Sequence, residues 1–222
     1  MPKQINIKAV IFDMDGLLLD TEAIAKHAFE LAMAAYDYSH DPELFINLIG
    51  YDDRSCRNFL KQQFGKSFSF SKICRKMAEY EKDYIQQHGI PLKKGIVEFL
   101  TFLEAADIPK GVGTTTSFNK AMENLEITGL KRFFNHMVAG DQVKNRKPAP
   151  DTFQNLGVKL GNPPENCLVL EDSEPGIRAA HAAGMFPVMI PDMKQPSDEL
   201  KKIIFKIVPD HFAAMSLLKS LI

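Results

Sequence analysis

Hydrophobic residues follow two different periods along the chain. A short run of β-branched and aromatic residues, Val10 to Phe12, is typical of a buried strand. Apolar residues then recur at helical spacing in four successive segments, residues 23–36, 42–48, 53–64 and 71–88, with no strand between them. The pattern therefore predicts one strand followed by a block of helices.

Beyond residue 89, short apolar strands alternate with helices. We predict strands over residues 111–114, 136–139, 167–170 and 187–190, and helices over residues 96–106, 119–127, 150–160 and 175–183. Alternation of this kind implies crossover connections and a parallel sheet with helices on both faces. The sequence thus predicts an α/β fold: residues 1–20 and 89–222 form a Rossmann-like, doubly wound parallel sheet core, into which residues 21–88 insert an all-helical domain.

Composition and charge limit the kinds of partner. The chain has 222 residues, of which 27 are basic and 28 acidic, and its net charge is -1. No overall field attracts nucleic acid or an anionic membrane, so we expect a small ligand bound by local charges. No apolar run reaches membrane-spanning length, and the first residues lead into a strand without the apolar stretch of a secretory signal. We expect a cytoplasmic monomer whose partners include neither nucleic acid nor a membrane.

The cysteine residues bear on the expected compartment. The cysteines, Cys56, Cys74 and Cys167, are odd in number and widely spaced, which fits neither a disulfide framework nor paired metal ligands. We therefore expect reduced thiols in the core.

A set of aromatic residues lies near residue 68. Phe64, Phe68 and Phe70 alternate with Lys66 and Lys72, which would suit a base-stacking surface or the core of the helical domain. Lysines are few in this segment and the chain is not basic, so core packing is the preferred interpretation.

Polar residues follow the predicted strands in a consistent order. They are Asp13 and Asp15 after the first strand, Thr114, Thr115, Thr116 and Ser117 after the second, Lys147 in a later loop, and Glu171 and Asp172 after the strand at 167–170. Each has a structural alternative as a helix cap or a solvated charge. In an open parallel sheet, however, ligands bind beyond the carboxyl ends of the strands, and there these residues would meet.

A crevice lined by several carboxylates needs a cation. Each close pair of acids repels by about 4 kcal/mol at an effective dielectric near 20. Mg2+ suits such a site because it prefers carboxylate, carbonyl, water and phosphate oxygens. Lys147 and the Thr114 hydroxyl would bind the remaining phosphate oxygens, one acid would attack phosphorus, and its neighbour two residues on would protonate the leaving oxygen. The pattern indicates phosphoryl transfer through an aspartyl phosphate. The alternative for Asp13 to Gly16, a calcium loop, lacks the glutamate that such loops carry at their twelfth position.

These motifs together resemble the haloacid dehalogenase superfamily, in its branch of β-phosphoglucomutase-like small-molecule phosphatases. The segments that carry the resemblance are F-D-M-D-G-L-L-L-D-T-E at residues 12–22, the strand end at Thr114, K-P-A-P-D at 147–151 and L-E-D-S-E-P-G-I-R-A-A at 170–180. The resemblance implies that Asp13 is the nucleophile and that Asp15 acts first as general acid and then as base. It also implies that the helical domain is a mobile cap.

The resemblance further implies a set of binding residues. Mg2+ would be held by the Asp13 side chain, the Asp15 backbone carbonyl and Asp172, with Glu171 either a ligand through water or an orienting group. Thr114, Thr115 and Lys147 would bind the transferring phosphate.

Differences between branches of the superfamily narrow the expected reaction. Dehalogenases resembling this chain lack an acid at the position of Asp15, since a halide leaves without a proton. The mutases carry a histidine at the position of Ala25, and His27 lies on another side of the helix. We therefore expect a phosphatase acting on a sugar phosphate or on a nucleoside monophosphate such as pseudouridine 5'-phosphate. A sugar phosphomutase and, more remotely, a phosphoacceptor signalling module stay as alternatives.

Overall fold

The chain divides into two units in a computed structural model that describes residues 5–49, 51 and 53–222. The first unit contains the chain up to Asp20 and again from Pro91 to Ile222, and the second runs from Thr21 to Ile90. The second unit thus ends at Ile90, slightly beyond residue 88, at which the sequence pattern predicts the end of the helical domain.

Short strands alternate with longer helices along most of the chain. The strands are β1 (Ala9–Phe12), β2 (Lys110–Gly113), β3 (Met137–Val138), β4 (Cys167–Glu171), β5 (Phe186–Met189) and β6 (Lys206–Ile207). The helices are α1 (Thr21–Ala34), α2 (Leu44–Leu48), α3 (Asp53–Phe64), α4 (Phe70–His88), α5 (Ile96–Ala105), α6 (Phe118–Ile127), α7 (Asp151–Lys159), α8 (Glu174–Ala182), α9 (Asp198–Lys201) and α10 (His211–Lys219). Short 3-10 helices lie at Leu130–Phe133 and Pro164–Asn166.

The strands form one parallel sheet in the order β3-β2-β1-β4-β5-β6. The predicted α/β fold with a parallel sheet is therefore confirmed. β1 lies at the centre, paired with β2 on one side and β4 on the other, and all four of its residues are buried. Phe12 packs edge-on against Phe99 of α5, with ring centroids 5.6 Å apart. Burying such a side chain contributes about 2 kcal/mol, which explains why the most apolar stretch forms the central strand.

Three elements at the end of the chain were not predicted from the sequence. Both residues of β6 are exposed, and α9 has four residues, so neither shows a readable hydrophobic period. The sequence signals of the two helices are their caps: Ser197 accepts a hydrogen bond from the Leu200 N–H in α9, and Asp210 accepts one from the Ala213 N–H at the start of α10.

The helical unit has its own core. Phe29, Leu60, Phe68 and Ile73 are buried in one cluster, against which Phe64 and Phe70 pack. The rings of Phe64 and Phe68 stack with centroids 5.4 Å apart. These phenylalanines are therefore core residues of this unit, in agreement with the preferred interpretation. No helix in the described part of the chain is both long enough and apolar enough to cross a bilayer.

The cysteines differ in their surroundings. All three are free thiols; Cys167 is buried, Cys56 is partly buried and Cys74 is exposed. The expectation that all three are core residues is thus wrong for Cys74, because the inward side of α4 at this point is occupied by its neighbour Ile73. Burial raises the pKa of the Cys167 thiol to about 11.

His211 is the buried titratable residue of α10. Its side chain is 2% exposed, and its Nδ1 lies 3.3 Å from the carbonyl oxygen of Lys94, to which it donates a hydrogen bond when protonated there. Its Nε2 is buried and has no hydrogen-bond partner among the described residues. Burial lowers the pKa of His211 to about 4, so the imidazole is neutral in the folded protein near neutral pH.

We predict that His211 makes stability fall on acidification. Below pH 6.5 the unfolded chain protonates this histidine, whereas the folded chain does so only near pH 4. Protonation of this histidine in the unfolded chain therefore has almost no effect on the free energy of unfolding above pH 6.5. At pH 4 it lowers that free energy by roughly 3 kcal/mol. Urea unfolding between pH 7 and pH 4 should show a shallower loss of stability for His211→Gln than for the wild type. The exposed His136→Gln variant is the matched control, and equal pH dependence in His211→Gln and the wild type would refute the prediction.

Candidate active site

The predicted polar residues meet at one edge of the sheet. Asp13 and Asp15 follow β1, Thr114 follows β2, and Glu171 is the last residue of β4. Because β1 lies between β2 and β4 and all three strands are parallel, their carboxyl ends coincide. Lys147 reaches the same place from the loop between β3 and α7.

Three acids form the centre of this site. Asp13, Glu171 and Asp172 each offer a carboxylate oxygen, and these three oxygens lie within 4.8 Å of one another. Asp13 is 7% exposed and Glu171 is fully buried. Buried carboxylates at such distances are stable only beside positive charge.

Lys147 supplies part of that charge. Its Nζ donates to an oxygen of Asp13 and, at 2.6 Å, to Oε1 of Glu171, while its side chain is 3% exposed. Burial disfavours its charged form, but the two carboxylates outweigh that effect and leave the pKa of Lys147 above its usual value. The lysine is therefore a permanent cation between two acids.

One lysine does not balance three acids. Burial raises the pKa of Asp13 well above its usual range, Lys147 opposes this, and the nearby charges of Glu171 and Asp15 raise the pKa further. With Asp13, Glu171 and Asp172 ionised and Lys147 charged, the cluster carries two excess negative charges. A divalent cation would neutralise them, and three carboxylate oxygens are the donors that Mg2+ prefers. The residues present thus fit the metal expected from the sequence.

Glu171 is fixed by the start of α8. Its Oε2 accepts hydrogen bonds from both the backbone N–H and the hydroxyl of Ser173, each 2.8 Å long. The Ser173 hydroxyl in turn accepts from the Gly176 N–H and caps the helix. A Cβ on Gly176 would lie 1.7 Å from Oε1 of Glu171, so only glycine fits there. Lys147 and Ser173 thus each bond to one of the two carboxylate oxygens of Glu171.

The threonines after β2 differ in position. Thr114 is fully buried, and its hydroxyl accepts a hydrogen bond from the Thr116 N–H at 3.1 Å. Thr115 is exposed. The Thr116 hydroxyl donates to Oδ2 of Asp15 at 2.7 Å; the sequence places Thr116 among the polar residues after the strand but assigns it no role. A run of three threonines at a strand end was the available signal, but nothing in the sequence shows which hydroxyl reaches the acid.

Ser173 and Gly176 were likewise not predicted as site residues. They belong to the segment E-D-S-E-P-G that carries the resemblance, but their roles depend on contacts with Glu171. Arg146, which precedes Lys147, is exposed and donates from Nε to the Gly140 carbonyl at 3.1 Å.

Comparison with known proteins gives a consistent picture. The family model described as haloacid dehalogenase-like hydrolase matches residues 10–190. A phosphorylated carbohydrates phosphatase from Thermotoga maritima is 32% identical over 179 residues, which cover 81% of this chain and 82% of the relative. A Drosophila melanogaster protein named as a probable pseudouridine-5'-phosphatase is 32% identical over 191 residues, 82% of this chain and 80% of the relative.

A crystal structure of CbbY from Rhodobacter sphaeroides in complex with phosphate has a similar fold. Its TM-score is 0.73 at 27% identity, and the match covers 92% of this chain and 95% of that one. The family model spans the residues that form the acidic cluster, Lys147 and both aspartates after β1. The chain therefore belongs to the haloacid dehalogenase-like hydrolase family, in its branch of small-molecule phosphatases.

Proposed function

We propose that this protein is a Mg2+-dependent phosphatase that hydrolyses small phosphorylated metabolites through an aspartyl-phosphate intermediate. The observation that carries the proposal is the buried Asp13 carboxylate, which lies against Lys147 within a cluster of acids at the carboxyl edge of the sheet. This arrangement combines a nucleophile, a phosphate-binding cation and ligands for a divalent ion.

The first step transfers the phosphoryl group to the protein. A carboxylate oxygen of Asp13 attacks phosphorus and forms a new P–O bond, while the bond from phosphorus to the ester oxygen breaks. Asp15, in its carboxylic acid form, gives its proton to that leaving oxygen. The products of this step are a free alcohol, an aspartyl phosphate at Asp13 and an ionised Asp15.

The second step regenerates the enzyme. Asp15, now a base, takes a proton from water as the water oxygen attacks the same phosphorus. The bond between phosphorus and the Asp13 oxygen breaks, which restores the carboxylate and releases inorganic phosphate. Asp15 ends the cycle protonated, as it began.

Other residues of the site would bind the phosphoryl group. Lys147, together with Thr114 and Thr115, would hold its non-bridging oxygens through charge and hydrogen bonds. Asp13, the Asp15 carbonyl and Asp172 would hold Mg2+, which when bound neutralises the charge that develops on phosphate oxygens. Glu171 would orient Lys147, to which it is already hydrogen-bonded.

The substrate class is proposed from the relatives. One is named for phosphorylated carbohydrates and another for pseudouridine 5'-phosphate. We propose a sugar phosphate or a nucleoside monophosphate of this kind. The helical unit from Thr21 to Ile90 would be the cap that selects it, with the exposed cations Arg54 and Lys61 as candidates for specificity.

We also propose where the enzyme is located and in which oligomeric state it acts. Three free thiols suit a reducing compartment, so we place the enzyme in the cytoplasm. We propose that it acts there as a monomer.

A sugar phosphomutase is the competing enzyme. Position 25 is alanine where the mutases carry histidine, and the ring of the nearby His27 packs against Tyr84 of α4 with centroids 6.3 Å apart. A mutase must exclude water until a second sugar hydroxyl arrives, and the alanine at position 25 supplies no imidazole for that task.

We predict that Asp13→Asn abolishes phosphate release. The amide is a poor nucleophile, so turnover of aryl and sugar phosphates should fall at least about 10³-fold, or roughly 4 kcal/mol in activation free energy. Phosphate release is measured by a molybdate assay, with the thermal unfolding midpoint as a check of folding. Asp83→Asn, on an exposed part of α4, is the control and should keep wild-type activity. Equal release by Asp13→Asn and the wild type would remove Asp13 from this role.

We predict that metal removal inactivates the enzyme and that Asp172→Asn weakens metal binding. Activity should vanish in excess EDTA and return with Mg2+, and Asp172→Asn should need at least about tenfold more Mg2+ for half-maximal rate. Mg2+ should also raise the unfolding midpoint of the wild type, since a ligand that binds only the folded state stabilises it. Full activity of extensively dialysed protein in EDTA would contradict this.

We predict hydrolysis, and not isomerisation, of hexose 1-phosphates. Incubation with a hexose 1-phosphate and a trace of the bisphosphate should release free phosphate and hexose, since water reaches the aspartyl phosphate. A dehydrogenase-coupled assay detects any hexose 6-phosphate. Accumulation of the 6-phosphate faster than free phosphate would establish the mutase instead.

A further inference from the structure

The structure assigns Thr116 as a positioning residue for Asp15: its hydroxyl holds the carboxyl group in the orientation in which it passes a proton to the leaving oxygen. This inference rests on the proposed function, because it concerns how the general acid of that reaction is kept in place. It begins from the 2.7 Å hydrogen bond between the Thr116 Oγ1 and Oδ2 of Asp15.

The direction of this hydrogen bond determines what it does. An ionised carboxylate only accepts hydrogen bonds, so the threonine hydroxyl must donate its one hydrogen to Oδ2. This contact hinders rotation of the carboxyl group about its bond to Cβ. In the protonated acid, a threonine hydroxyl that keeps donating to Oδ2 places the transferable proton on Oδ1.

The Thr116 backbone is itself held on both sides. Its N–H donates to the hydroxyl of the buried Thr114 at 3.1 Å, and its carbonyl accepts from the Gly140 N–H at 3.0 Å. A Cβ on Gly140 would lie 2.1 Å from the Thr115 carbonyl oxygen, so the loop after β3 packs directly on the loop after β2. The hydroxyl is therefore delivered from a fixed backbone.

A general acid must hold its proton in line with the leaving oxygen, and misplacement reduces its contribution of about 10²–10⁴-fold. The need for this proton depends on the leaving group. An alkoxide from a sugar or glycerol phosphate leaves poorly unless protonated, whereas p-nitrophenolate is stable as an anion. Loss of the Thr116 hydroxyl should therefore slow the first kind of substrate selectively.

The test compares Thr116→Val, which keeps the shape and removes the hydroxyl, with Thr116→Ser, which keeps the hydroxyl. Single-turnover experiments with Mg2+-loaded enzyme in excess follow release of glycerol from glycerol phosphate and of p-nitrophenol from p-nitrophenyl phosphate. These conditions isolate transfer to Asp13 from the later attack of water. We expect Thr116→Val to slow glycerol release about 10²-fold and nitrophenol release less than about threefold, with both rates restored in Thr116→Ser.

Two further variants separate positioning from other roles. Thr101→Val makes the same change at an exposed threonine of α5, whose hydroxyl donates to the Val97 carbonyl at 2.8 Å, and it should leave both rates unchanged. In an Asp15→Asn background, Thr116→Val should cause no further loss with glycerol phosphate, because the group that it positions is already gone. Thr116→Ala serves in place of the valine variant if the latter unfolds early in a thermal melt.

The outcomes are distinct. Equal slowing of both substrates by Thr116→Val would make Thr116 a phosphate ligand or a structural residue, and no slowing of either would make the hydrogen bond irrelevant; each overturns the inference. An additional loss in the Asp15→Asn background also overturns it. If the wild type does not hydrolyse glycerol phosphate, a sugar phosphate that it hydrolyses takes its place in the comparison. If it releases phosphate from no sugar phosphate, nucleoside monophosphate or aryl phosphate, the proposed function fails, and the inference fails with it.

Discussion

The rest of the site depends on the two ion pairs that Lys147 forms with Asp13 and Glu171. Asp13 and Glu171 are buried side by side, and two such carboxylates repel strongly at low dielectric. The Lys147 ammonium lies between them and bonds to both, so the lysine makes it possible to bury the Asp13 carboxylate beside a second acid. One lysine leaves the cluster with an excess of negative charge, which a divalent cation would neutralise.

The position of Glu171 shows how far this arrangement reaches into the fold. Its two oxygens are used by Lys147 and Ser173, and the first turn of α8 is shaped around it, down to the glycine whose Cβ would collide with the carboxylate. A helix start, a strand end and a distant loop therefore share a single carboxyl group. A change in any of them is expected to move the lysine and, with it, the Asp13 carboxylate.

The loops after β2 and β3 perform a similar function for the second aspartate. Thr114 is buried and bonds to the backbone of Thr116, and Thr116 bonds to Asp15. Gly140 allows the two loops to pack without a side chain between them. The two aspartates, separated by one residue in the chain, thus depend on different neighbours: Asp13 contacts Lys147, and Asp15 contacts Thr116.

Hydrophobic patterns and motif positions were enough to predict the fold and the residues of the acidic cluster. The change from helical spacing to strand–helix alternation near residue 89 predicted the parallel sheet, and polar residues after apolar strands predicted which side chains meet, because parallel strands end at a common edge. Local hydrophobic patterns and chain order suffice for both conclusions. Three finer points could be read only from the folded chain: Thr116 contacts Asp15, Glu171 is shared by Lys147 and Ser173, and Cys74 lies outside the core. These depend on contacts between residues far apart in the chain or on which side of an element faces inward, and three adjacent threonines look alike until the loop that carries them is folded.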